Sequence, residues 1–301
     1  MDMKLKFHGV RGSRPTHKLG LLSIGGNSTS IELIFESEDF YIFIDGGSGL
    51  ANRGRELGMN PEKNKFYFLI THTHWDHILG LPFFEPLYSE NNSFTFYASN
   101  TSRSTFNELF LGLQRSENLP VPIKELKASM NFHDVTAGDS FNILPNLKIK
   151  TYQINHQGVT LAYRVEYGKD SVAIVTDNAP IDNGNLMGEG MRAKAKANTR
   201  RFEQDFNSGL VQFLNGCNTV VFDTHFTEKN LKADWGHSTP PRALDFCKQA
   251  GVNRLILFHH APEDLDDAVT AKVHSILSDA LNHGIEVAAA KEGEEWILHC
   301  A

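Results

Sequence analysis

The stretch THTHWDH, residues 71–77, most constrains what this chain can fold into. It follows KFYFLI, residues 65–70, an apolar run with the length of a buried strand. Three imidazoles and one carboxylate therefore stand together at the end of a strand. Imidazole nitrogen and carboxylate oxygen suit Zn²⁺, Mn²⁺ or Fe²⁺, and a turn can aim several of them at one point. The stretch predicts a metal site that includes His72, His74, Asp76 and His77.

Apolar runs and turns indicate two successive sets of strands and helices. Short apolar runs separated by Gly-rich turns fill the first half, and a second series of such runs follows from residue 146 onward. Helical spacing of apolar residues predicts helices over 104–114, 241–250 and 265–281. Two such sets predict two sheets packed back to back with helices outside. No repeat or linker divides the 301 residues, so one domain is expected.

Residues 182–208 do not fit this alternation. The segment begins Gly-rich and then concentrates basic side chains, so it is interpreted as an insertion with a loop that leads into a helix. A solvated helix face and a mobile basic lid over an anionic substrate are the two alternatives. The basic residues are Arg192, Lys194, Lys196, Arg200 and Arg201.

Charge and cysteine content narrow the function. The net charge of -7 disfavours extended nucleic-acid binding but allows a small anionic substrate at a metal site. No apolar run is long enough for a membrane span or a signal peptide, so no membrane association and a cytoplasmic location are expected. The widely spaced Cys217, Cys247 and Cys300 argue against a disulfide framework and a thiolate zinc site.

HTHWDH resembles the HxHxDH signature of the metallo-β-lactamase-fold hydrolases. The resemblance implies an α/β (α+β) fold, an αββα sandwich, and two divalent metal ions, with Zn²⁺ favoured over Mn²⁺ or Fe²⁺. The further elements that it leads us to seek each follow an apolar strand: Asp45 in FYIFIDGG, His156 in YQINHQG, Asp177 in AIVTDN and His259 in LILFHH.

The resemblance also assigns roles to these residues. It places His72, His74 and His156 on one metal, Asp76, His77 and His259 on the other, and Asp177 as the bridge. Asp45 is expected to support the metal loop through hydrogen bonds. His260 is the less favoured alternative to His259.

GHST, residues 236–239, resembles an element of the phosphodiesterase branch, which includes transfer-RNA 3′-processing endonucleases and small cyclic-phosphate phosphodiesterases. The resemblance implies that His237 contacts the scissile phosphate and that Asp223 orients it. GHST can equally serve as a helix N-cap, and both roles can hold at once. His225 is interpreted either as a residue that contacts a metal ligand or the substrate, or as a histidine on a surface loop.

GVRGSRP and GGNST, near the N-terminus, resemble a subgroup of this branch. Arg11 and Arg14 are candidate anchors for a substrate anion, and Asn27 lies in a candidate tight turn beside the metals. A structural clasp of the N-terminal strand is the alternative. GLPFFEPLY, residues 80–88, is expected to form an apolar wall of the pocket.

The resemblance implies a metal-dependent phosphodiesterase that hydrolyses a small phosphodiester, a cyclic nucleotide or cyclic phosphate, through a metal-activated hydroxide. Asp76, His237 and Asp223 are the candidate catalytic residues. The alternatives are a lactone, thioester or ester hydrolase on the same metals, a tRNA 3′-processing endonuclease, and a non-catalytic metabolite-binding protein. The negative charge and the lack of a Gly/Pro-rich arm argue against tRNA processing. A homodimer is left open.

Overall fold

In the computed structural model, two mixed β-sheets pack face to face. The structure describes residues 3–20, 23–35, 39–58, 64–101, 104–113, 125–181, 185–196, 198–232 and 234–298. The first sheet contains β1 (Met3–Gly9), β2 (Ser30–Phe35), β3 (Phe40–Ile44), β4 (Lys65–Ile70), β5 (Ser93–Ala98), β6 (Ser129–Asp134) and β14 (Glu295–Ile297). The second contains β7 (Ser140–Leu144), β8 (Leu147–Gln153), β9 (Leu161–Tyr167), β10 (Asp170–Val175), β11 (Thr219–Asp223), β12 (Arg254–Phe258) and β13 (Glu286–Ala289).

Each sheet has an antiparallel part and a parallel part. The strand order is β14-β1-β2-β3-β4-β5-β6 in the first sheet and β13-β12-β11-β10-β9-β8-β7 in the second. Strands β3 to β6 run parallel, as do β10 to β13. The parallel strands of each sheet therefore end at one common edge, where their polar C-terminal neighbours meet.

Helices cover the outer faces. They are α1 (Gly49–Leu57), α2 (Trp75–Ile78), α3 (Phe106–Leu113), α4 (Met191–Ala195), α5 (Thr199–Leu214), α6 (Pro240–Ala250) and α7 (Asp266–Asn282), with two 3₁₀ turns at Leu81–Phe83 and Glu85–Tyr88. One buried cluster lies between the sheets, one between the second sheet and α5 to α7, and one between the first sheet and α1, α3 and the 3₁₀ turns. The predicted αββα sandwich is confirmed.

The outer core of the first sheet is built from phenylalanine rings. Phe66 and Phe94 stack across neighbouring strands at 4.7 Å between centroids, and Phe84 contacts Phe66 edge-on at 5.5 Å. Leu81 and Phe84 are fully buried in this core. The expectation that GLPFFEPLY forms a pocket wall is therefore wrong, because Leu81, Phe84 and Leu87 pack against the strands that support the metal motif and Phe83 is exposed away from the cavity lining.

Tyr163 joins the two sheets beside the metal motif. Its buried hydroxyl lies 3.0 Å from the carbonyl oxygen of Ile70 and 3.1 Å from that of Tyr97, so it can donate to either. The backbone N–H of Leu161 donates to the carbonyl oxygen of Thr71 at 3.0 Å. The loop that carries HTHWDH is thus held by β9 of the opposite sheet.

The three predicted helices occur with small changes at their ends. They become α3, α6 and α7, and residue 114 lies outside the described residues. The apolar spacing that predicts α7 matches the buried face of this helix only in part. Leu265 and Leu281 are 43% and 64% exposed, whereas Lys272 is buried between Val269 and Ile276 on the inner face.

Residues 185–208, where the structure describes them, pack on the second sheet through a small core of their own. Leu186, Met191 and Ala195 are buried against Phe206, while the basic side chains of the segment are exposed. No described residue of the segment lines the cavity that contains the predicted ligands His74, Asp76 and His156. This favours the solvated-face interpretation over the lid.

Two further findings concern cysteines and membranes. Cys217 and Cys247 are buried free thiols, and Cys300 lies outside the described residues. A helix with the length and apolarity needed to cross a membrane does not occur in the described part of the chain.

Candidate metal centre

The predicted ligands lie at the ends of strands from both sheets. The HTHWDH segment follows β4, and Asp45 follows β3 in the same sheet. His156, Asp177 and His259 follow β8, β10 and β12 in the second sheet. The carboxyl ends of parallel strands are the usual location of a ligand site, and here two such edges face each other.

The structure brings the predicted ligands together in two connected groups. His72, His74 and His156 form one group, in which the candidate ligand atoms lie within 4.8 Å of one another. Asp76, His77 and His259 form the other group. Asp177 lies between them, because its Oδ1 is 3.9 Å from Nε2 of His156 in the first group and its Oδ2 is 3.1 Å from Nε2 of His77 in the second. These two groups match the assignment that the family resemblance implied, and they are two of five overlapping sets of described residues whose candidate ligand atoms converge.

Hydrogen bonds outside the groups set the ring orientations. Nδ1 of His77 lies 2.7 Å from Oδ2 of Asp45, and Nδ1 of His156 lies 3.0 Å from the carbonyl oxygen of Gly236. A ring that donates through Nδ1 keeps the lone pair on Nε2 for a metal. Asp45 also accepts from the backbone N–H and the hydroxyl of Thr71, each at 2.7 Å, so it holds the start of the motif as well.

The donor set fits divalent metal ions. Nε2 of His72, Nε2 of His77 and Oδ2 of Asp177 are buried and make no well-aligned hydrogen bond among the described residues, although the last two atoms lie 3.1 Å apart. The same three residues form one of the sets whose ligand atoms converge. Buried polar atoms without partners are costly, and two metal ions, one at His72 and one at His77 with Asp177 shared, would satisfy all three.

The two ligand groups differ in the pKa values of their histidines. Burial lowers the pKa of His156 to about 4 and holds the pKa of His72 well below its ordinary value, so both imidazoles are neutral and able to coordinate. Burial also opposes charge on His77, but the carboxylates around it outweigh that effect and raise its pKa well above its ordinary value. In the absence of metal, a proton on His77 offsets part of the carboxylate charge.

The backbone is strained where it presents the site. Asp45, Asp177, His259 and Ser13 have φ values of 58°, 45°, 58° and 62°, and they are the non-glycine residues with positive φ in the described chain. This left-handed conformation costs of order 1–3 kcal/mol per residue and clusters at functional sites. Three of the four are predicted site residues, and the fourth, Ser13, donates its backbone N–H to Oδ2 of Asp76 at 2.7 Å.

His237 and Asp223 form a buried pair beside the two groups. Nδ1 of His237 lies 3.0 Å from Oδ2 of Asp223 and 3.5 Å from Oδ1 of Asp177. Burial opposes charge on His237, yet Asp223 and the other carboxylates raise its pKa above the ordinary value. Asp223 is fully buried and also accepts backbone N–H groups from Asn178, His225 and Ser238.

The N-cap alternative for GHST is only partly supported. Helix α6 begins at Pro240 after Thr239, but Thr239 makes no side-chain capping bond and its hydroxyl donates to Glu228 instead. His225 is 3% exposed and stacks on His237 at 4.5 Å between ring centroids. The surface-loop interpretation of His225 is therefore wrong, because the residue supports the ring of His237.

Lys272, which no sequence motif indicates, helps to hold the site in place. Its ammonium donates to the carbonyl oxygens of Thr224 and His225, both at 2.7 Å, and pairs with Asp264 at 2.6 Å. It therefore holds the chain that follows Asp223. In the sequence, Lys272 is one more polar residue of α7, and only its spacing of three residues from Val269 and four from Ile276 indicates burial.

The structure distinguishes His259 from His260. His259 is fully buried, and its Nε2 lies 3.3 Å from Oδ2 of Asp76. Nε2 of His260 lies 3.1 Å from the carbonyl oxygen of Ala290, so this ring points into the protein away from the ligand groups. The geometry supports the predicted choice of His259.

The two predicted anion anchors, Arg11 and Arg14, and the predicted turn residue Asn27 belong to the scaffold instead. Arg11 is fully buried and donates to the carbonyl oxygens of Gly25, Ala261 and Asp264. Asn27 bonds to Glu292, and the exposed Arg14 pairs with Glu263 at 2.7 Å. None of the three lines the cavity. The structure corrects the anion-anchor interpretation and favours the clasp of the N-terminal strand.

A cavity of about 490 Å³ opens over the metal groups, which is within the size range of small-molecule sites. Several of its lining residues were not predicted, although Trp75 lies within HTHWDH and Trp235 directly precedes GHST. The cavity is lined by Ser13, His74, Trp75, Asp76, His156, Gln157, Asp177, Asp234, Trp235 and His237.

Comparisons with known proteins agree with this architecture. Ribonuclease Z from Lactococcus lactis subsp. cremoris (strain SK11) is 24% identical over 284 residues, covering 85% of this chain and 88% of the relative. The metallo-β-lactamase fold protein YhfI from Bacillus subtilis has a TM-score of 0.69 at 16% identity, covering 99% of this chain and 100% of that chain. Human tRNase Z, short form, has a TM-score of 0.65 at 16% identity with the same coverage.

The predictions of a metallo-β-lactamase fold and of a hydrolase are confirmed by these likenesses. The family model of the anti-Pycsar protein Apyc1 matches residues 26–187, more than half of the chain. This chain therefore belongs to the family of the anti-Pycsar protein Apyc1.

Proposed function

We propose that the chain is a metal-dependent phosphodiesterase that hydrolyses a small phosphodiester, a cyclic nucleotide or a related cyclic phosphate, with two divalent metal ions and Zn²⁺ as the first candidate. The observation that carries the proposal is the Asp223–His237 pair, 3.0 Å apart, whose histidine lines the same cavity as ligands from both groups. Hydrolysis of an ester or a lactone requires the metals but does not require the Asp223–His237 pair.

The mixed imidazole and carboxylate donors support Zn²⁺, Mn²⁺ or Fe²⁺. His72, His74 and His156 would hold one ion, and Asp76, His77 and His259 the other, with Asp177 shared. Bound in pairs, such ions supply a water of lowered pKa and stabilise charge on phosphoryl oxygens.

The chain's own residues would complete the reaction. Because Nδ1 of His237 bonds to Asp223, Nε2 is the nitrogen left for the substrate. A protonated His237 can donate to the departing alkoxide oxygen, and Asp223 both holds the ring and favours its charged form. His225, stacked on the ring, and Lys272, bonded to the following carbonyls, keep the pair in place.

Two of the proteins compared above are named ribonuclease Z and tRNase Z, so tRNA processing is the alternative that they support. The net charge of -7 disfavours a long polyanion, because backbone phosphates dominate nucleic-acid affinity. We therefore propose the small phosphodiester, and a precursor tRNA belongs among the substrates assayed.

The test uses protein purified without chelator, with metal content measured on the same sample. We expect hydrolysis of bis-p-nitrophenyl phosphate and of a 3′,5′-cyclic mononucleotide. His237→Ala should keep its metals and lose roughly 10²–10⁴ in kcat, the range of general acid catalysis. His274→Ala, which removes an exposed histidine of α7, is the control and should retain full activity.

Full activity in His237→Ala with intact metals would refute the phosphodiesterase mechanism. Turnover of a lactone or thioester without turnover of any phosphodiester would favour the ester-hydrolase alternative. Faster cleavage of precursor tRNA than of the small substrates would favour the endonuclease.

A further inference from the structure

Two exposed tryptophans line the cavity and have no task in the proposed chemistry. Trp75 is 63% exposed and Trp235 is 48% exposed. Single exposed apolar side chains are common on protein surfaces, but large aromatic rings that share one cavity with a candidate catalytic site are not explained that way. The remaining tryptophan, Trp296, is half-buried and packs against the core between the sheets.

Both rings are close in the chain to groups that would hold the substrate phosphate. Trp75 stands between His74 and Asp76, which belong to different ligand groups. Trp235 precedes Gly236, whose carbonyl oxygen accepts from His156, and His237 follows. A phosphodiester with its phosphorus at this centre would therefore have its substituents within the same cavity as the indoles.

Trp235 is held in place although half of it is exposed. The ring of Phe226 packs against it edge-on at 6.1 Å between centroids, and the ammonium of Lys232 lies 3.8 Å from its ring centroid. The backbone N–H of Trp235 donates to the carbonyl oxygen of Lys232 at 3.1 Å. A flat ring that is fixed in advance loses little entropy when a second ring stacks on it.

We propose that Trp75 and Trp235 form a stacking subsite for the aromatic base of the substrate, so that the enzyme selects nucleoside phosphodiesters over phosphodiesters without a base. This inference rests on the proposed function, because it assigns the part of the substrate beyond the phosphate. Aromatic side chains that stack a base contribute about 1–3 kcal/mol per base and tolerate different bases, since every base has a π face. The subsite therefore selects for the presence of a base rather than for its identity.

The test compares two substrates with the same phosphodiester ring. One is a 3′,5′-cyclic mononucleotide, and the other is the 3′,5′-cyclic phosphate of methyl riboside, which carries a methoxy group in place of the base. We expect the wild-type protein to have a kcat/KM roughly 10-fold or more higher on the nucleotide. Trp75→Leu and Trp235→Leu should each remove most of that preference, because KM for the nucleotide rises by more than KM for the methyl riboside.

Two further variants sharpen the comparison. Trp235→Phe retains a ring and should keep much of the preference. Phe83→Leu removes an aromatic side chain that is 51% exposed but does not line the cavity, and it should change neither substrate. Equal kcat/KM of the wild-type protein on both substrates, or equal losses on both in the leucine variants, would overturn the inference while leaving the phosphodiesterase proposal intact.

A binding measurement separates the two proposals if neither substrate is hydrolysed. Calorimetric titration should show a 5′-mononucleotide binding at least 10-fold more tightly than ribose 5-phosphate, with the difference reduced in Trp235→Leu. That result would support the stacking subsite although the proposed activity had failed. Equal affinities for the two ligands would overturn the subsite.

Discussion

Two glycines allow the candidate ligands to reach their positions. A Cβ atom on Gly12 would lie 2.3 Å from Cε1 and Nδ1 of His259, and a Cβ on Gly236 would lie 1.9 Å from Nδ1 of His156. Gly236 also has a φ of 84°, which side chains rarely tolerate. The backbone at each of these glycines thus packs directly against an imidazole ring and limits its movement.

Gly12→Ala should therefore weaken metal binding without removing a ligand. The added methyl group must displace the ring of His259, which is fully buried and cannot move aside freely. We expect metal affinity to fall by roughly 10–100-fold, as when contacts that orient ligands are lost. Measuring metal content in zinc-buffered solutions gives the affinity directly.

Gly112→Ala is the matched control for that variant, because a Cβ on Gly112 meets nothing within 4 Å. It should leave metal affinity unchanged. Wild-type affinity in Gly12→Ala would mean that His259 does not need its present position to bind metal, and the assignment of this residue as a ligand would fail.

The candidate ligands could be predicted because each follows an apolar strand within a recognisable stretch. The misread residues lack such a signal. Arg11 and Arg14 look alike in GVRGSRP, but one is buried among backbone carbonyls and the other is half exposed in an ion pair with Glu263. Whether an arginine is buried depends on how distant segments pack against it, here residues 25 and 261–264, which local sequence does not reveal.

At the scale of elements, a buried carboxylate fastens α1 to the first sheet. Glu32 of β2 is 2% exposed, and Arg53 of α1 donates to it through Nε at 2.9 Å and Nη2 at 3.0 Å. Nε2 of His8 on β1 lies 2.7 Å from the same carboxylate. Helix α1 starts just after Asp45, so this cluster also fixes the turn that supports the metal loop.

Glu32→Gln should lower the free energy of unfolding by about 2 kcal/mol at neutral pH, since it removes charge-assisted bonds to a partly buried arginine. Burial opposes the charged carboxylate, but His8 and Arg53 outweigh it and lower the pKa of Glu32 below its ordinary value of 4.5. The stabilisation is therefore present above pH 4.5 and is lost as pH falls through the lowered pKa. Denaturant unfolding at pH 7 and at pH values below 4 measures this difference.

Glu56→Gln provides the comparison, because Glu56 pairs with the same arginine at 3.2 Å but its side chain is 61% exposed. Its effect should stay within about 0.5 kcal/mol. A Glu32→Gln variant that matches Glu56→Gln at neutral pH, or whose deficit grows in acid, would contradict the role assigned to the buried carboxylate.

At the scale of the whole molecule, the candidate centre joins the two sheets. The HTHWDH loop belongs to the first sheet, whereas His156, Asp177 and His259 belong to the second. The order of apolar runs predicts the two sheets, since their strands come in two successive series. The meeting of their edges was implied only by family resemblance, because no local pattern indicates which strand ends lie opposite one another.

Removal of metal should loosen this junction and lower the thermal stability of the whole chain. A metal held at 100 times its dissociation constant stabilises the folded state by about 2.7 kcal/mol, which for a chain of this size corresponds to an unfolding temperature roughly 5 °C higher. We expect a chelator to lower the transition temperature by at least that amount, because a vacated site also leaves buried carboxylates and imidazoles in mutual contact. Differential scanning calorimetry with and without chelator makes the measurement.

Asp177→Ala and His237→Ala separate metal linkage from a general effect of the chelator. Asp177 belongs to convergent sets with His77 and with His156, so its removal should weaken both ions and reduce the chelator-dependent shift. His237 is assigned to the substrate phosphate, and its variant should keep the full shift. Equal shifts in the wild-type protein and Asp177→Ala would show that the metals do not depend on the carboxylate between the sheets, and the shared-ligand assignment would have to be abandoned.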